Sequence, residues 1–310
     1  MDMKKEVVIG LQSTPKYLPA WYRYDNEGSR LNDMCLEKNE NYYFHRCELG
    51  ILQTHISNML GLDMNNSVLV DMGSGNCQKT RMFIDEILKT KSHLAFYPVD
   101  ISHEMLLDTC KKLSDEYAEQ LDINPISADY ETGIAEIKQY TCSKLILWFG
   151  SIQSLEPDDQ VRKLKLVKSV MTAGCSLIFS VDITQERDDI MKAYNDFHGR
   201  QLFMNFIWRL IREEKCTINP DNFDLEVEFI KDDSADKMSS VQVIFRAKRD
   251  NSFTLPTLGI TVNMAKGEPL YLHDGPGISH KYTPTQVQTL IKRAGLQLVD
   301  KWVDNAEHVR

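Results

Sequence analysis

The chain contains the segment Ser67-Val68-Leu69-Val70-Asp71-Met72-Gly73-Ser74-Gly75-Asn76-Cys77-Gln78-Lys79-Thr80. An apolar run leads into an acidic residue, a Gly-x-Gly turn follows, and a polar run compatible with a helix comes next. This order predicts a strand, a tight turn and a helix. Glycine is needed in such a turn where a ligand lies against the backbone, because a Cβ atom would collide with it. The segment therefore predicts a ligand-binding α/β unit.

A second short strand is predicted downstream, where Ala95-Phe96-Tyr97-Pro98-Val99-Asp100 also ends in a carboxylate. In nucleotide-binding α/β folds, an acidic residue at the end of the second strand meets the hydroxyl groups of a ribose. The glycine turn and Asp100 together indicate a cofactor that contains adenosine.

The glycine turn does not match the patterns of phosphate-rich cofactors. The third glycine of the dinucleotide fingerprint falls on Gln78, and the chain lacks a P-loop. Asp71, just before the turn, is unfavourable for a pyrophosphate but suits a cationic ligand such as S-adenosylmethionine. We therefore predict S-adenosylmethionine as the cofactor. A purely structural glycine turn and a dinucleotide-dependent oxidoreductase are the alternatives.

Composition narrows the class of protein. The chain has 310 residues, 42% of them hydrophobic, with a formal net charge of −9 and no basic run. These properties argue against nucleic acid or an anionic membrane as partner and favour a small-molecule substrate. The seven cysteines are scattered, no histidine pair has metal-ligand spacing, and no apolar run reaches membrane-spanning length. We expect a cytoplasmic protein with free thiols and no metal; no oligomeric state is predicted.

Strand and helix patterns alternate from residue 68 to residue 181, which predicts a doubly wound α/β sheet. The pattern then changes to a long helical run, three antiparallel strands, a helix and a last strand (188–214, 225–230, 240–248, 258–263, 284–294 and 296–303). We predict a Rossmann-like cofactor domain at 63–185 plus 284–310. The second, α+β domain, at 1–62 plus 186–283, would bind the substrate.

Ligands in open α/β sheets lie beyond the carboxyl ends of the strands. Asp129 follows one predicted strand, where its carboxylate would accept from an adenine amino group, and the next residue, Tyr130, would stack on the ring. The alternative for Asp129 is a helix N-cap. Asp182 also follows a strand, and the two interpretations remain open there.

Several further segments occur in a recognisable order. They are Tyr24-Asp25-x-x-Gly28-Ser29, Tyr42-Tyr43, Arg46-Cys47-Glu48, Met72 to Arg81, Tyr97 to Ser102, Phe149-Gly150-Ser151, Ala193-Tyr194-Asn195-Asp196 and Ser279-His280-Lys281-Tyr282-Thr283-Pro284. Over nearly its whole length the chain resembles the histidine-specific S-adenosylmethionine-dependent methyltransferase family. That family includes the histidine N-alpha-methyltransferase of ergothioneine biosynthesis and the dimethylallyltryptophan N-methyltransferase of ergot alkaloid pathways. The resemblance implies a Rossmann-like domain with a second domain.

The resemblance also implies roles for individual residues. Tyr42 matches a tyrosine beside the substrate ring, Tyr194 one that binds the amino-acid carboxylate, and Ser279 a serine near the ring. The predicted cofactor-binding residues are Tyr24, Gly73, Ser74, Gly75, Lys79, Asp100, Asp129 and Tyr130.

Three departures from the histidine enzyme affect the predicted substrate. Gly277 stands where that enzyme has a glutamate that accepts from imidazole, Val243 replaces a methionine, and the loop that supplies an asparagine is shortened and ends at Ser154. Losing the acceptor would leave a buried imidazole N–H unpaired, which costs about 1–3 kcal/mol. The space gained would suit a larger ring, unless His273 or Asp274 supplies a replacement acceptor.

We therefore predict an S-adenosylmethionine-dependent N-methyltransferase that acts on the α-amino nitrogen of an aromatic amino acid, with tryptophan or a prenylated tryptophan preferred. Tyr42, Tyr194 and Ser154 are the predicted catalytic residues and would also hold the substrate with Val243, Gly277 and Ser279. The alternatives are a histidine N-alpha-methyltransferase of the hercynine and ergothioneine pathway and a non-catalytic relative that binds S-adenosylmethionine.

Overall fold

The computed structural model describes residues 3–60, 67–232, 237–304 and 308–309. It divides into two compact units. The parallel-sheet unit comprises residues 44–184 and 282–310, and the mixed-sheet unit comprises residues 1–43 and 185–281. The sequence-based division instead assigned residues 44–62 to the second domain.

The helices are α1 (Met3–Gln12), α2 (Asn26–Lys38), α3 (Tyr43–Met59), α4 (Gln78–Leu88), α5 (His103–Tyr117), α6 (Tyr130–Ile137), α7 (Pro157–Ser169), α8 (Arg187–Tyr194), α9 (Phe197–Glu214) and α10 (Pro284–Ala294). Among these helices, none combines the length and the apolar character that crossing a membrane requires.

The strands are β1 (Lys16–Tyr17), β2 (Ser67–Met72), β3 (Leu94–Asp100), β4 (Leu121–Ile123), β5 (Ile126–Ser127), β6 (Ser143–Trp148), β7 (Ser176–Phe179), β8 (Phe223–Ile230), β9 (Ser239–Ala247), β10 (Asn251–Leu255), β11 (Ile260–Met264), β12 (Pro269–Tyr271) and β13 (Ser279–Lys281).

The parallel-sheet unit is built on strands in the order β4-β3-β2-β6-β7, with β5 also pairing with β3. All these pairings are parallel. Strand β2 pairs with β3 on one side and with β6 on the other, so the chain reverses its winding direction at β2. A crevice forms at such a switch point, beyond the carboxyl ends of the strands. The predicted α/β alternation is confirmed.

The predicted last strand at 296–303 is wrong. Helix α10 ends at Gly295 (φ 70°), and the described chain beyond it forms no strand. The apolar side chains that suggested the strand remain in solvent: Leu298 is 46% exposed and Val299 is 89% exposed. The alternation of apolar and polar residues in this segment therefore does not correspond to a buried face. In the described part of the chain after α10, the one β-type pairing is an antiparallel bridge between Asp182 and Val309.

The mixed-sheet unit is organised around β9. This strand pairs antiparallel with β8 along one edge and with both β12 and β13 along the other, while β1 adds a short parallel pairing to β12. A separate hairpin, β10–β11, accounts for the predicted strand at 258–263 and for a strand that was not predicted. The predicted helical run at 188–214 is two helices, because the Asp196 side chain caps α9 by accepting from the His198 backbone N–H.

One interruption in this sheet bears on the candidate site. Tyr271 pairs with Ile244 and Ser279 pairs with Val241, so β12 and β13 occupy the same edge of β9 with their registers offset by five residues. Residues 273–277 leave that edge between Leu272 and Ile278, whose backbone N–H groups donate to carbonyls of β9. We call residues 273–277 the strand excursion.

Candidate functional site

The predicted glycine turn follows β2 in the parallel-sheet unit. Gly73 and Gly75 have φ values of 82° and 51°, which L side chains rarely adopt. The Gly73 and Ser74 N–H groups donate to the Val99 carbonyl oxygen at 2.8 and 3.1 Å, which anchors the turn to β3. A Cβ on Gly75 would meet no atom within 4 Å. The turn thus leaves open space against its backbone, as a bound cofactor requires.

Asp100 holds this turn from the end of β3. Its two carboxylate oxygens accept the backbone N–H of Gly75 and of Ser102, each at 2.9 Å. Burial raises the pKa of Asp100, and the backbone hydrogen bonds oppose that rise. A carboxylate has about four acceptor positions, so these bonds leave capacity for ribose hydroxyls.

Asp71 points into the parallel-sheet unit, so the expectation that its negative charge favours a cationic ligand is wrong. Its carboxylate is 4% exposed and accepts a short hydrogen bond from the Thr80 hydroxyl of α4. Burial raises the pKa of Asp71 to about 6, although Thr80 and Lys79 act in the opposite direction. Asp71 therefore joins β2 to α4 inside the unit and gives no support to a cationic ligand.

The Tyr130 side chain lies against the same turn. Its hydroxyl donates to Ser151 Oγ at 2.8 Å, and its ring lies 4.9 Å from the Trp148 ring, with a 52° angle between the planes. A Cβ on Gly73 would come within 3.1 Å of both Ser151 Oγ and the Tyr130 hydroxyl oxygen. Tyr130 thus packs beside the glycine turn, and adenine stacking on its ring remains a prediction.

Asp129 occupies the N-cap of α6, where its Oδ1 accepts the Thr132 N–H at 2.9 Å. The helix-cap interpretation is therefore realised. The carboxylate retains acceptor capacity for a cofactor amino group.

Lys79 belongs to a network that the sequence analysis did not assign. Its Nζ donates to Glu48 Oε2 at 2.9 Å, and the Glu48 side chain is only 2% exposed. The Ser180 hydroxyl donates to the other Glu48 oxygen and accepts the Gly150 N–H at 3.1 Å. Lys79 Nζ also lies 5.4 Å from the centre of the Phe149 ring. Glu48 on α3 therefore ties together the segments that follow β2, β6 and β7.

The predicted substrate tyrosines meet in the mixed-sheet unit. The Tyr42 and Tyr194 rings form an edge-to-face pair with centroids 5.9 Å apart and planes at 77°. Lys281 Nζ donates to the Tyr194 hydroxyl at 3.0 Å and to Ser279 Oγ at 3.1 Å. Lys281 is fully buried, and its Nζ lies 4.8 Å from the centre of the Tyr194 ring. The structure thus brings together Tyr42, Tyr194 and Ser279 and adds Lys281, whose role the sequence analysis missed.

Val243 and Gly277 differ in how they relate to this group. Val243 is fully buried on β9 and shares a sheet face with Ser279, because Ser279 pairs with Val241, two residues away on β9. Gly277 lies at the end of the strand excursion, where a Cβ would come within 2.6 Å of Ser240 Cβ and 2.7 Å of the Val241 carbonyl oxygen. The expectation that glycine opens space here is therefore wrong, since neighbouring atoms already fill it.

Ser154 ends a short 3-10 turn at residues 152–154, where its backbone N–H donates to the Ser151 carbonyl at 3.1 Å. The amide beside it, Gln153, is buried and accepts the Asp182 N–H at 3.0 Å. Gln153 thus fixes the loop after β6. A substrate contact by Ser154 remains a prediction.

Tyr24 lies at the end of a 3-10 helix at residues 20–23 of the mixed-sheet unit. Its hydroxyl accepts from Arg23 Nη2 at 2.9 Å, and the guanidinium carbon of Arg23 lies 4.6 Å from its ring centre. A cofactor contact by Tyr24 also remains a prediction.

One group of potential metal ligands occurs among the described residues. Ligand atoms of Cys47, Asp304 and His308 lie within 4.8 Å of one another. Asp304 Oδ1 already accepts the backbone N–H groups of His308 and Val309. Burial and Asp304 raise the pKa of Cys47 to about 12, so the thiol is protonated near neutral pH. These contacts account for the group without an ion.

Comparison with known proteins identifies the class of enzyme. The chain matches the family described as histidine-specific methyltransferase, SAM-dependent, over residues 3–310. It is 29% identical to the histidine N-alpha-methyltransferase of Mycobacterium tuberculosis over 99% of this chain and 92% of the relative. It is 31% identical to the 4-dimethylallyltryptophan N-methyltransferase of Penicillium roqueforti over 61% of this chain and 58% of the relative.

Among solved structures, an S-adenosylmethionine-dependent methyltransferase from Clostridium acetobutylicum is similar with a TM-score of 0.43 and 15% identity. The match covers 92% of this chain and 95% of that one.

The protein is thus a methyltransferase whose parallel-sheet unit is Rossmann-like and whose second unit is α+β, and its cofactor is S-adenosylmethionine. It belongs to the histidine-specific S-adenosylmethionine-dependent methyltransferase family, as the sequence analysis predicted. The two relatives described above are both named as N-methyltransferases.

Proposed function

We propose that the enzyme methylates the α-amino nitrogen of an aromatic amino acid, with tryptophan or a prenylated tryptophan preferred over histidine. The lack of a side-chain acceptor at Gly277 carries the preference. Because Ser240 and Val241 leave no room for a Cβ there, no side chain at that position can accept an imidazole N–H. Indole has one polar ring atom, an N–H donor, whereas neutral imidazole has a donor and an acceptor nitrogen, so an indole leaves fewer buried polar atoms unpaired.

The group around Lys281 supports an amino acid as substrate. A lysine ammonium has only donors, so the Tyr194 and Ser279 oxygens accept from it and their hydroxyl hydrogens are free to point elsewhere. Both hydroxyls then offer hydrogens to a ligand, which favours acceptor groups such as a carboxylate. The edge-to-face pair of Tyr42 and Tyr194 offers aromatic surface to a flat ring.

The chain's own part in the reaction is to position the reactants. When bound, S-adenosylmethionine supplies an electrophilic methyl group. Gly73, Gly75 and Asp100 fit the cofactor, since the turn is open on its ligand side and the carboxylate retains acceptor capacity. Only the neutral form of the α-amine has the lone pair that attacks the methyl group, so the amine must lose its proton before transfer. Alignment of amine and methyl group supplies about 7–11 kcal/mol of the barrier reduction.

A substrate panel tests this proposal. The enzyme is incubated with S-adenosylmethionine and tryptophan, 4-dimethylallyltryptophan, histidine or tyrosine, and methylated products are measured by mass spectrometry. We expect the highest kcat/KM with an indole amino acid and a drop of about 10- to 100-fold in Tyr194→Phe, which keeps the ring but loses the hydroxyl. The control is Tyr140→Phe, a tyrosine that packs against Tyr97 in the other unit. Methylation of histidine alone would overturn the substrate preference, and cofactor binding without any transfer would favour a non-catalytic relative.

Histidine is the second candidate, because a relative named histidine N-alpha-methyltransferase matches 99% of this chain. The mixed-sheet unit also holds a buried imidazole acceptor at His273, whose Nε2 has no hydrogen-bond partner among the described residues. A kcat/KM for histidine above that for tryptophan in the same panel would establish this alternative.

A further inference from the structure

Arg23 is a buried cation in the mixed-sheet unit. It ends the 3-10 helix at residues 20–23 and is 6% exposed. Its Nη2 donates to the Tyr24 hydroxyl, whereas Nε and Nη1 are buried and have no hydrogen-bond partner among the described residues. Buried polar groups in folded proteins are nearly always satisfied by protein, water or ligand. These two guanidinium nitrogens therefore need an acceptor that the described residues do not supply.

Two described carboxylates near the 3-10 helix that carries Arg23, those of Asp25 and Asp274, have other partners. Asp25 accepts from Arg212 at 2.6 Å, from Asn205 at 2.7 Å and from the Gly28 N–H at 2.8 Å. Asp274 Oδ1 faces the Ala20 backbone N–H at 3.4 Å. Among the described residues no carboxylate forms an ion pair with Arg23. A buried charge without a counter-ion is costly, so the missing partner is expected to be anionic.

Two buried histidines of the same unit also have ring nitrogens without a hydrogen-bond partner among the described residues. His273 interacts electrostatically with Arg23, and His280 with His273. His273 Nδ1 lies 2.6 Å from the Gly275 carbonyl oxygen, so Nδ1 carries the hydrogen and Nε2 is a free acceptor. Neither ring nitrogen of His280 has a partner among the described residues. Burial lowers the pKa of both histidines to about 4, so neither adds charge near neutral pH.

We propose that Arg23 binds the carboxylate of a small-molecule ligand through its Nε–H and Nη1–H groups, in surroundings that include the buried imidazole of His273. Two ligands of this enzyme class carry an α-carboxylate: the methionine moiety of the cofactor and an amino-acid substrate. The substrate source rests on the proposed function, whereas the cofactor source does not.

Calorimetry on the full-length protein separates the two sources. One arm compares S-adenosylmethionine with its decarboxylated analogue. The other arm, with S-adenosylhomocysteine present, compares tryptophan with tryptamine and histidine with histamine. The variant is Arg23→Met, which keeps the length of the side chain but removes its charge. The control is Arg30→Met, which alters an exposed arginine of the same unit that pairs with Glu27. Thermal unfolding of each ligand-free variant is measured in parallel.

We expect Arg23→Met to weaken the carboxylated member of one pair by about 30-fold or more and to leave its decarboxylated partner within about 3-fold. The affected pair identifies the source. Because the variant removes an uncompensated buried charge, its ligand-free unfolding midpoint should not fall below that of the wild type. The inference is overturned if carboxylated and decarboxylated ligands weaken alike, or if neither weakens. If the wild type binds no amino acid, the proposed function fails and the cofactor arm alone decides on Arg23.

Discussion

Glu48 links three strand ends of the parallel-sheet unit through a single carboxylate. Lys79 and Ser180 donate to it, and Ser180 in turn accepts from the Gly150 backbone. The Glu48 side chain is 2% exposed, whereas that of Lys79 is 19% exposed, so the carboxylate bears more of the desolvation. Removing one member of such a pair leaves the other uncompensated, which costs more than losing both.

We expect Glu48→Gln to lower the free energy of unfolding by about 2–4 kcal/mol, because the neutral amide leaves the Lys79 ammonium without a counter-charge. Chemical denaturation followed by circular dichroism measures the loss. Glu86→Gln is the matched control, since Glu86 pairs with Lys89 on the surface of α4 and such pairs contribute at most about 1 kcal/mol.

The double variant Glu48→Gln, Lys79→Met separates a charge effect from a packing effect. It should recover part of the loss, because the uncompensated ammonium is gone. Equal destabilisation by the single and double variants would contradict an ion-pair role for Glu48.

At the level of single residues, the sequence predicted which residues lie together at the cofactor site better than it predicted which side chains they contact. Gly75 and Asp100 were expected together because parallel strands place their carboxyl ends at one edge, and the Gly75 N–H does donate to Asp100. Glu48, Lys281 and Arg23 received no role, although all three stand in or beside quoted segments. Nothing local in a sequence shows which charged side chain will be buried or what it will face.

Among the structural elements, the strand excursion restricts the side chain at one position, Gly277, most strongly. A Cβ on Gly277 would press on Ser240 Cβ and on the Val241 carbonyl, and backbone atoms of β9 cannot move aside easily. We expect Gly277→Ala to lower the free energy of unfolding by about 1–3 kcal/mol. The thermal unfolding midpoint should fall by a few degrees.

Gly50→Ala provides a control of opposite sign. Gly50 is exposed within α3, and a Cβ there would meet no atom within 4 Å. Alanine in a helix interior stabilises by about 0.5–1 kcal/mol relative to glycine, so this variant should melt slightly higher. A Gly277→Ala protein as stable as the wild type would contradict the close packing described for the excursion.

The elements also show where local signals suffice. Helix α10 was predicted at 284–294 and has those bounds, because Thr283 forms a capping box with Gln286 and Gly295 ends the helix in the left-handed conformation. The strand predicted at 296–303 is absent because alternation alone provides neither a pairing partner nor a buried face. Hairpin β10–β11 shows the converse, since pairing supports a strand that the pattern did not reveal.

For the molecule as a whole, buried titratable groups set how stability depends on pH. Burial lowers the pKa of His273 and His280 to about 4, from the ordinary value of 6.5. Their contribution is present above pH 6.5 and is lost as the pH falls toward 4, on the order of 2 kcal/mol each at pH 5. Asp71, with a pKa raised to about 6, acts in the opposite sense and regains on the order of 1 kcal/mol at pH 5. The histidines therefore dominate.

Thermal unfolding at pH 7.5 and pH 5.0 checks this balance. The wild type should melt at a lower temperature at pH 5.0, and His280→Leu should show a smaller decrease because one titrating group is gone. An unchanged or higher wild-type midpoint at pH 5.0 would rule out the dominance of the histidines.

The division of the whole chain was harder to predict than its fold class. The α/β alternation and the change of pattern after Asp182 follow from local periodicity. Helix α3 is different: the described residues beyond Tyr43 belong to the parallel-sheet unit, although they precede β2 and show no strand-helix alternation of their own. An amphipathic helix shows that it has a buried face, but not which sheet will cover that face.

The strand excursion also bears on how such enzymes diverge. Because Leu272 and Ile278 keep their backbone hydrogen bonds to consecutive parts of β9, the chain between them can lengthen or shorten without shifting the register of either flanking strand. A single insertion or deletion in the gene can thus change the residues beside His273 while the sheet is inherited unchanged. Exchanging residues 273–277 between relatives is therefore a practical way to test their effect on ligand preference.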